Sequence, residues 1–342
     1  MKSEHEAWEW DVGPRSLVAA KIAQALLPNL GRGAIALSLA MSLFATAASA
    51  QISTEDFLEL KTMRIYPGDA PGAKGAEPGD VPSVTVVLPW GDFNGVGVIV
   101  APGGGYVNVA GNIEGRQLAD WFAARGVTAF VLNYRTGPKY LYPVPLEDAQ
   151  RALRFVRANA GRWGLRLNKI GFAGFSAGGH LAAMAGTSFH AINSAVADPV
   201  ERFSDRPDFL VLAYPGTLIF EPGKAHRPDG TGRSDYCMLM QLNPCDPRFE
   251  AYSPHKLVRA DTPPTFLYMT NEDVLGPQQL TVMYDALREK KVPVEMHMFG
   301  RGAHSSGVGG ISQALSFWPL LLDNWLRGEG FLGGDNTPAP RR

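Results

Sequence analysis

Cysteine is scarce, with 2 in 342 residues. That number cannot build a disulfide-dense scaffold or a four-cysteine zinc site. An excess of one charge is also missing: Lys plus Arg number 32 and Asp plus Glu 33, a formal net charge of −1. The basic stripe of a general nucleic-acid binder is therefore absent. Long hydrophobic runs are nearly lacking. The one that stands out, Ala34–Ala47, is short for a bilayer span of about 20 residues. No Gly-X-Y period runs through the chain, which excludes collagen. What remains is a globular composition, 45% hydrophobic and 19% charged, with an unusual load of 38 glycines and 26 prolines. Such an excess belongs in tight loops, and its clustering is informative.

The first fifty residues read as an address. A polar stretch ends in Arg32, the apolar run follows, and Ala48-Ser49-Ala50 precedes Gln51. A basic residue, an apolar segment and a small-x-small site are the parts of a secretory leader. Residues 1–50 are thus expected to be a leader cleaved after Ala50, the alternative being an uncleaved anchor. The protein is then exported, periplasmic or secreted, with no membrane attachment after cleavage. An oxidising destination makes a disulfide between Cys237 and Cys245 an expectation. Closing that short loop would contribute roughly 2–3 kcal/mol; two free thiols are the alternative.

After Gln51, short apolar runs alternate with amphipathic stretches. Strands are predicted at Ser83–Leu88, Gly97–Ala101, Thr128–Asn133, Lys169–Ala173, Phe209–Tyr214, Thr265–Thr270 and Val294–Phe299. Helices are predicted at Glu114–Arg125, Leu146–Asn159, Ala177–Thr187 and Ile311–Arg327. This alternation implies an α/β fold, a mostly parallel sheet with helices on both faces. Residues 51–330 are read as one catalytic domain and 331–342 as a flexible tail. Residues 217–259 break the rhythm, and a long polar insertion of this kind reads as a cap or binding loop.

The strongest local signal is Gly174-Phe175-Ser176-Ala177-Gly178, a G-x-S-x-G element between a predicted strand and a predicted helix. That context is the nucleophile elbow, a strained turn that lifts a serine above the sheet. A serine hydroxyl needs a base, and the base needs an orienting acid, in chain order Ser, acid, His. Of seven histidines, His5 leaves with the leader. His180 sits in the nucleophile helix, His190 comes too early, His226 and His255 fall in the irregular segment, and His297 reads as a strand core residue. His304, in a glycine-bracketed loop after the last strand, is the candidate base. Asp273, just after Thr265–Thr270, is the candidate acid, with Glu272 the neighbour to exclude. Gly103-Gly104-Gly105 follow the strand Gly97–Ala101 directly. The N–H groups of Gly104 and Gly105, with that of Ala177, are the candidate oxyanion hole; which glycine donates stays open. Tyr106 is a candidate substrate contact. The Walker Lys-Ser/Thr pair and a Rossmann spacing are both missing, and no metal-ligand cluster is evident. No cofactor and no metal are therefore expected.

Taken together, Pro102-Gly-Gly-Gly-Tyr106, Asn133-Tyr-Arg135, Tyr142–Arg157, Gly174-Phe-Ser-Ala-Gly-Gly-His-Leu-Ala182, Arg206-Pro-Asp208 and Thr262-Pro-Pro-Thr265 resemble the α/β-hydrolase superfamily. Within it they are similar to the secreted bacterial acetyl-xylan-esterase-like, or feruloyl-esterase-like, carbohydrate esterases. The resemblance covers roughly Gly97 to Arg327. It implies a triad of Ser176, Asp273 and His304, and removal of small acyl groups, chiefly acetyl, from plant-cell-wall sugars. The expected partner is a small acyl ester or acetylated polysaccharide, not nucleic acid. A broad carboxylesterase or feruloyl esterase is the nearest alternative. A prolyl-oligopeptidase-type peptidase is disfavoured by the short stretch before the glycine loop, a long-chain lipase by the polar 217–259 segment, and a non-catalytic binding protein by the presence of all three triad candidates. No oligomeric state follows from these features.

Overall fold

A computed structural model describes residues 61–190, 192, 194–218, 251–310, 312 and 314–333. The leader (1–50) and both Cys237 and Cys245 lie outside these residues. Among the described residues, eight strands form one sheet: β1 (Lys61–Arg64), β2 (Ser83–Val87), β3 (Gly97–Ala101), β4 (Thr128–Asn133), β5 (Ile170–Phe175), β6 (Leu210–Ala213), β7 (Thr265–Thr270) and β8 (Val294–Phe299). Their order is β1-β2-β4-β3-β5-β6-β7-β8. Both pairings of β2 are antiparallel and the other pairings are parallel. The mostly parallel sheet expected from the alternation is thus present. No helix among the described residues is long and apolar enough to cross a membrane.

The central strands β3, β5, β6 and β7 are buried along their whole length, which is why they read as continuous apolar runs. The two edge strands are different. β1 is short, carries Lys61 and Arg64 and is mostly exposed, so it left no apolar signal; charges of this kind also blunt an edge against aggregation. β8 is only half-buried. His297 on it therefore is not a core residue: Nε2 meets Glu295 Oε1 at 2.7 Å and the ring lies against Phe266.

Five α-helices are described: α1 (Gln117–Ala123), α2 (Val144–Ala158), α3 (Ser176–Thr187), α4 (Gln278–Glu289) and α5 (Trp318–Gly328). The helix expected over Glu114–Arg125 is in fact a π-helical turn, Gly111–Arg116, leading into α1. Here a Cβ at Gly115 would lie 2.9 Å from Val131 Cγ1, so the missing side chain lets this turn press against β4. The helix expected over Ile311–Arg327 starts later, at Trp318, because Pro319 fits only the first turn. Packing also continues past the expected start of the tail at 331. Leu332 is buried and the Phe331 ring packs tilted against Phe209.

Two buried polar arrangements fix the elements around the carboxyl ends of the strands. Arg135, just after β4, is held by Asp148 of α2: Asp148 accepts from the Arg135 backbone N–H at 3.0 Å, from Nε at 2.9 Å and from Nη2 at 2.7 Å. Arg135 and Asp148 side chains are 1% and 0% exposed. The second arrangement holds α3. His180 Nε2 lies 2.7 Å from the Tyr252 carbonyl and Nδ1 lies 2.7 Å from the Tyr106 hydroxyl. A carbonyl only accepts, so Nε2 carries the proton and Nδ1 accepts from Tyr106. Burial pushes the His180 imidazole down to about 4, and it stays neutral. Farther along the chain, Thr217 and Leu218 donate their N–H groups to Gln279 Oε1, both at 2.7 Å, and His255 Nδ1 donates to the Thr217 carbonyl at 2.9 Å.

Two outcomes follow for stability. Asp148→Ala leaves the Arg135 guanidinium buried and unpaired, and should lower unfolding free energy in urea by about 3–5 kcal/mol. For His180, the unfolded chain takes up a proton near its ordinary value of 6.5 while the folded chain does so only near 4. Its contribution is therefore complete above that upper value and is lost as pH falls towards the lower one, a swing of about 3 kcal/mol. His180→Gln should flatten this part of the stability profile in urea titrations run across that pH range.

Candidate active site

The site is assembled at the carboxyl ends of β3, β5, β7 and β8. β5 runs straight into α3, and Ser176 at the junction has φ +52. A residue with a side chain seldom adopts that left-handed conformation, and its presence marks a strained turn. The turn is possible because its flanks are bare. A Cβ on Gly174 would collide with the Gly178 carbonyl, and one on Gly178 would collide with the carbonyls of Ala101 and Pro102.

Ser176, His304 and Asp273 come together although 128 and 31 positions separate the linked pairs. Ser176 Oγ lies 2.8 Å from His304 Nε2. His304 Nδ1 lies 2.9 Å and 2.8 Å from the two oxygens of Asp273. Next to a carboxylate, Nδ1 carries the imidazole proton, which leaves Nε2 free to accept from the serine hydroxyl. The Asp273 side chain is 1% exposed and that of His304 19%, so the acid is enclosed while the imidazole keeps an open edge. Asp273 is also tied down locally, its Oδ1 accepting from the Leu275 N–H at 2.9 Å. Glu272 points elsewhere: its Oε2 accepts from the Gly302 N–H at 3.1 Å, at the base of the histidine loop. Thr270 Oγ1 donates to the Gly302 carbonyl at 2.6 Å, so both residues steady the turn that presents His304.

The glycine loop 103–105 lies directly over the elbow, where a Cβ on Gly103 would come within 2.8 Å of Ser176 Cβ and 2.5 Å of Glu114 Oε2. Gly104, at φ +128, holds a backbone conformation that only glycine adopts without strain. The Gly103 N–H is already committed, donating to Glu114 Oε2 at 2.8 Å. By contrast, the N–H groups of Gly104, Gly105 and Ala177 donate to no other described residue. These three amides, next to the serine and at the start of α3, form a site suited to an oxygen that gains negative charge.

Tyr106 is not on the wall of this site as expected. It is 4% exposed, its hydroxyl is spent on His180, and its ring stands edge-on to Tyr134 and Tyr142. Its place is to hold the glycine loop against α3. Glu114 and Tyr214, by contrast, reach the site without any signal in the sequence. Glu114 reads as a polar residue near the start of a helix, and Tyr214 as the end of a strand. Only the fold brings them to the glycine and histidine loops.

Comparison with known proteins agrees with this geometry. The BD-FAE family profile matches residues 94–287. Among curated relatives, endo-1,4-beta-xylanase B of Butyrivibrio fibrisolvens is 34% identical over 237 residues, which are 67% of this chain and 35% of that protein. The acetylxylan esterase of Xylanibacter ruminicola is 29% identical over 255 residues, 72% of this chain and 47% of that protein. The chain thus spans about a third to a half of the length of these relatives. Among solved structures, the acetyl ester-xyloside bifunctional hydrolase of Caldicellulosiruptor lactoaceticus superimposes with a TM-score of 0.72 at 33% identity, covering 80% of this chain and 97% of that one. The matched span takes in the glycine loop, the elbow and Asp273, and on that basis the chain belongs to the BD-FAE family, built on the α/β-hydrolase fold.

Proposed function

We propose that this protein is a serine esterase that removes small acyl groups, chiefly acetyl, from plant-cell-wall sugars through an acyl-serine intermediate. The observation that carries this reading is the hydrogen-bonded chain Ser176–His304–Asp273 facing unspent amides of the glycine loop and Ala177. Ser176 is the nucleophile. His304 takes its proton through Nε2 as the hydroxyl attacks the ester carbonyl, and Asp273 holds the imidazole in the required tautomer and stabilises the imidazolium. The amides of Gly104, Gly105 and Ala177 stabilise the tetrahedral oxyanion. His304 then protonates the departing sugar oxygen, and water, activated by the same imidazole, releases the acid from Ser176.

The acetyl preference is supported by the names of two relatives, an acetylxylan esterase and an acetyl ester-xyloside hydrolase. The xylanase name belongs to a protein of which this chain spans about a third, and the site geometry here is that of acyl transfer. Export is part of the same reading: the leader over residues 1–50 would deliver the enzyme to its polymeric substrate, with residues 51–330 as the catalytic domain and 217–259 as its cap.

Ser176→Ala should abolish hydrolysis of a short aryl acetate; full retention would overturn the nucleophile assignment. Asp273→Asn should cost far more than Glu272→Gln, and the reverse order would move the acid to Glu272. Gly104→Ala keeps the N–H but drives a Cβ into Asn108 at a φ of +128; displacing the oxyanion amides in this way should lower kcat about 100- to 1000-fold. Release of acetate from acetylated xylan, measured beside ferulate release and peptide cleavage, should give acetate first. A dominant ferulate or peptide signal would redirect the substrate class.

A further inference from the structure

The two halves of the proposed site sit on separate loops. The oxyanion amides follow β3 and the base follows β8, and in the sheet order β5, β6 and β7 lie between these strands. Hydrolysis needs both loops in register at one ester carbon, so their spacing must be fixed by something other than strand pairing.

A buried chain of hydrogen bonds spans the gap. Glu114, 2% exposed, accepts from the Gly103 N–H through Oε2 at 2.8 Å and from the Tyr214 hydroxyl through Oε1 at 2.9 Å. The Tyr214 oxygen in turn lies 2.9 Å from the Gly307 nitrogen, three residues beyond His304. The direction of each bond is forced. The Gly307 N–H can only donate, so the Tyr214 oxygen accepts there and sends its own single proton to Glu114. Burial and the neighbouring Glu114 carboxylate push the Tyr214 phenol well above its ordinary value, so the proton stays in place. The Gly307 peptide is held on its other side too, its carbonyl accepting from Trp318 Nε1 at 3.1 Å. The Tyr214 ring stands edge-on to the His304 imidazole, centroids 5.0 Å apart. Tyr214 itself follows β6 with φ +38, a conformation that tertiary contacts must maintain.

We propose that Glu114, acting through Tyr214, is a positioning residue that locks the glycine loop and the histidine loop at one relative setting, so that oxyanion donors and base act on the same carbonyl. This rests on the triad reading above. Glu114 touches neither Ser176 nor His304 by hydrogen bond; it acts through Gly103 on one side and Gly307 on the other. A carboxylate suits the position because both of its oxygens must accept. Glutamine has one acceptor oxygen and would turn an NH2 group towards a donor, so the isosteric exchange is not conservative here.

The test uses steady-state kinetics of the full chain on a short aryl acetate. Tyr214→Phe keeps the ring against His304 and deletes only the bridging oxygen. It should lower kcat by about 10- to 100-fold while KM stays within about 3-fold, the pattern of an interaction needed in the transition state. Glu114→Gln should show the same split. The double variant should lose no more than about the larger single loss, because both changes cut one chain. Wild-type kcat in Tyr214→Phe, a rise in KM with kcat unchanged, or losses that multiply in the double variant would each overturn the proposal. If Glu114→Gln does not fold, Tyr214→Phe decides alone, since it leaves the packing intact. Ser176→Ala is run in parallel: activity retained there defeats the triad reading, whereas an inactive Ser176→Ala beside a fully active Tyr214→Phe defeats only the bridge.

Discussion

Everything at this site depends on how closely two backbones can approach. The loop leaving β3 and the turn leaving β5 meet where Gly103 and Gly178 have no side chains, and a Cβ at either would strike the opposing element, while one at Gly174 would strike the Gly178 carbonyl within the turn itself. That contact brings Ser176 under the glycine amides and leaves α3 wedged between the sheet and its neighbours. α3 is buried along its whole length, which explains its sequence of small and apolar residues on every face. Its polar members are each satisfied: His180 by Tyr106 and Tyr252, and Thr187 by the Ala183 carbonyl at 2.9 Å.

Once the elbow is packed, sheet order sets the acid loop beside the histidine loop. β7 and β8 lie side by side, so the loop carrying Asp273 and the loop carrying His304 emerge together, and their side chains need only local help. Glu272 and Thr270 supply it by gripping Gly302, so the acidic neighbour that competes with Asp273 in the sequence has its own task in the structure. The elements around the site use buried polar groups for similar ends. The Arg135–Asp148 pair joins the end of β4 to α2, and such pairs fix geometry more than they add net stability.

How much of this was legible in the sequence follows from the range of the interactions. Ser176, Asp273 and His304 were candidates because chain order and strand ends constrain such residues, and the structure brings them within hydrogen-bond reach; the glycines stood out because a backbone that must approach closely leaves a local compositional mark. The sheet was readable wherever strands are buried on both faces, and unreadable at β1, whose exposed Lys61 and Arg64 give no apolar pattern. His297 and Tyr106 were misplaced for opposite reasons. This edge strand leaves all of its residues half open, and an aromatic beside a glycine loop looks exposed until the helix packing on it is known. Glu114 was silent because its partners Gly103, Tyr214 and Gly307 meet only in the folded chain, and no periodicity encodes a carboxylate that must accept two particular protons.

The staple at the root of the 217–259 segment has a consequence for the length of that segment. Thr217 and Leu218 are pinned to Gln279, and His255 reaches back to the Thr217 carbonyl, so positions 217–218 and 255 are held together beside α4. Doubling the length of a segment whose ends are already held together costs only about 0.6 kcal/mol in closure entropy. Residues between the two posts can be exchanged, lengthened or shortened with little strain on β6, α4 or the elbow. A change of length between the two posts is thereby taken up at the staple, and the setting of Ser176, Asp273 and His304 does not depend on it.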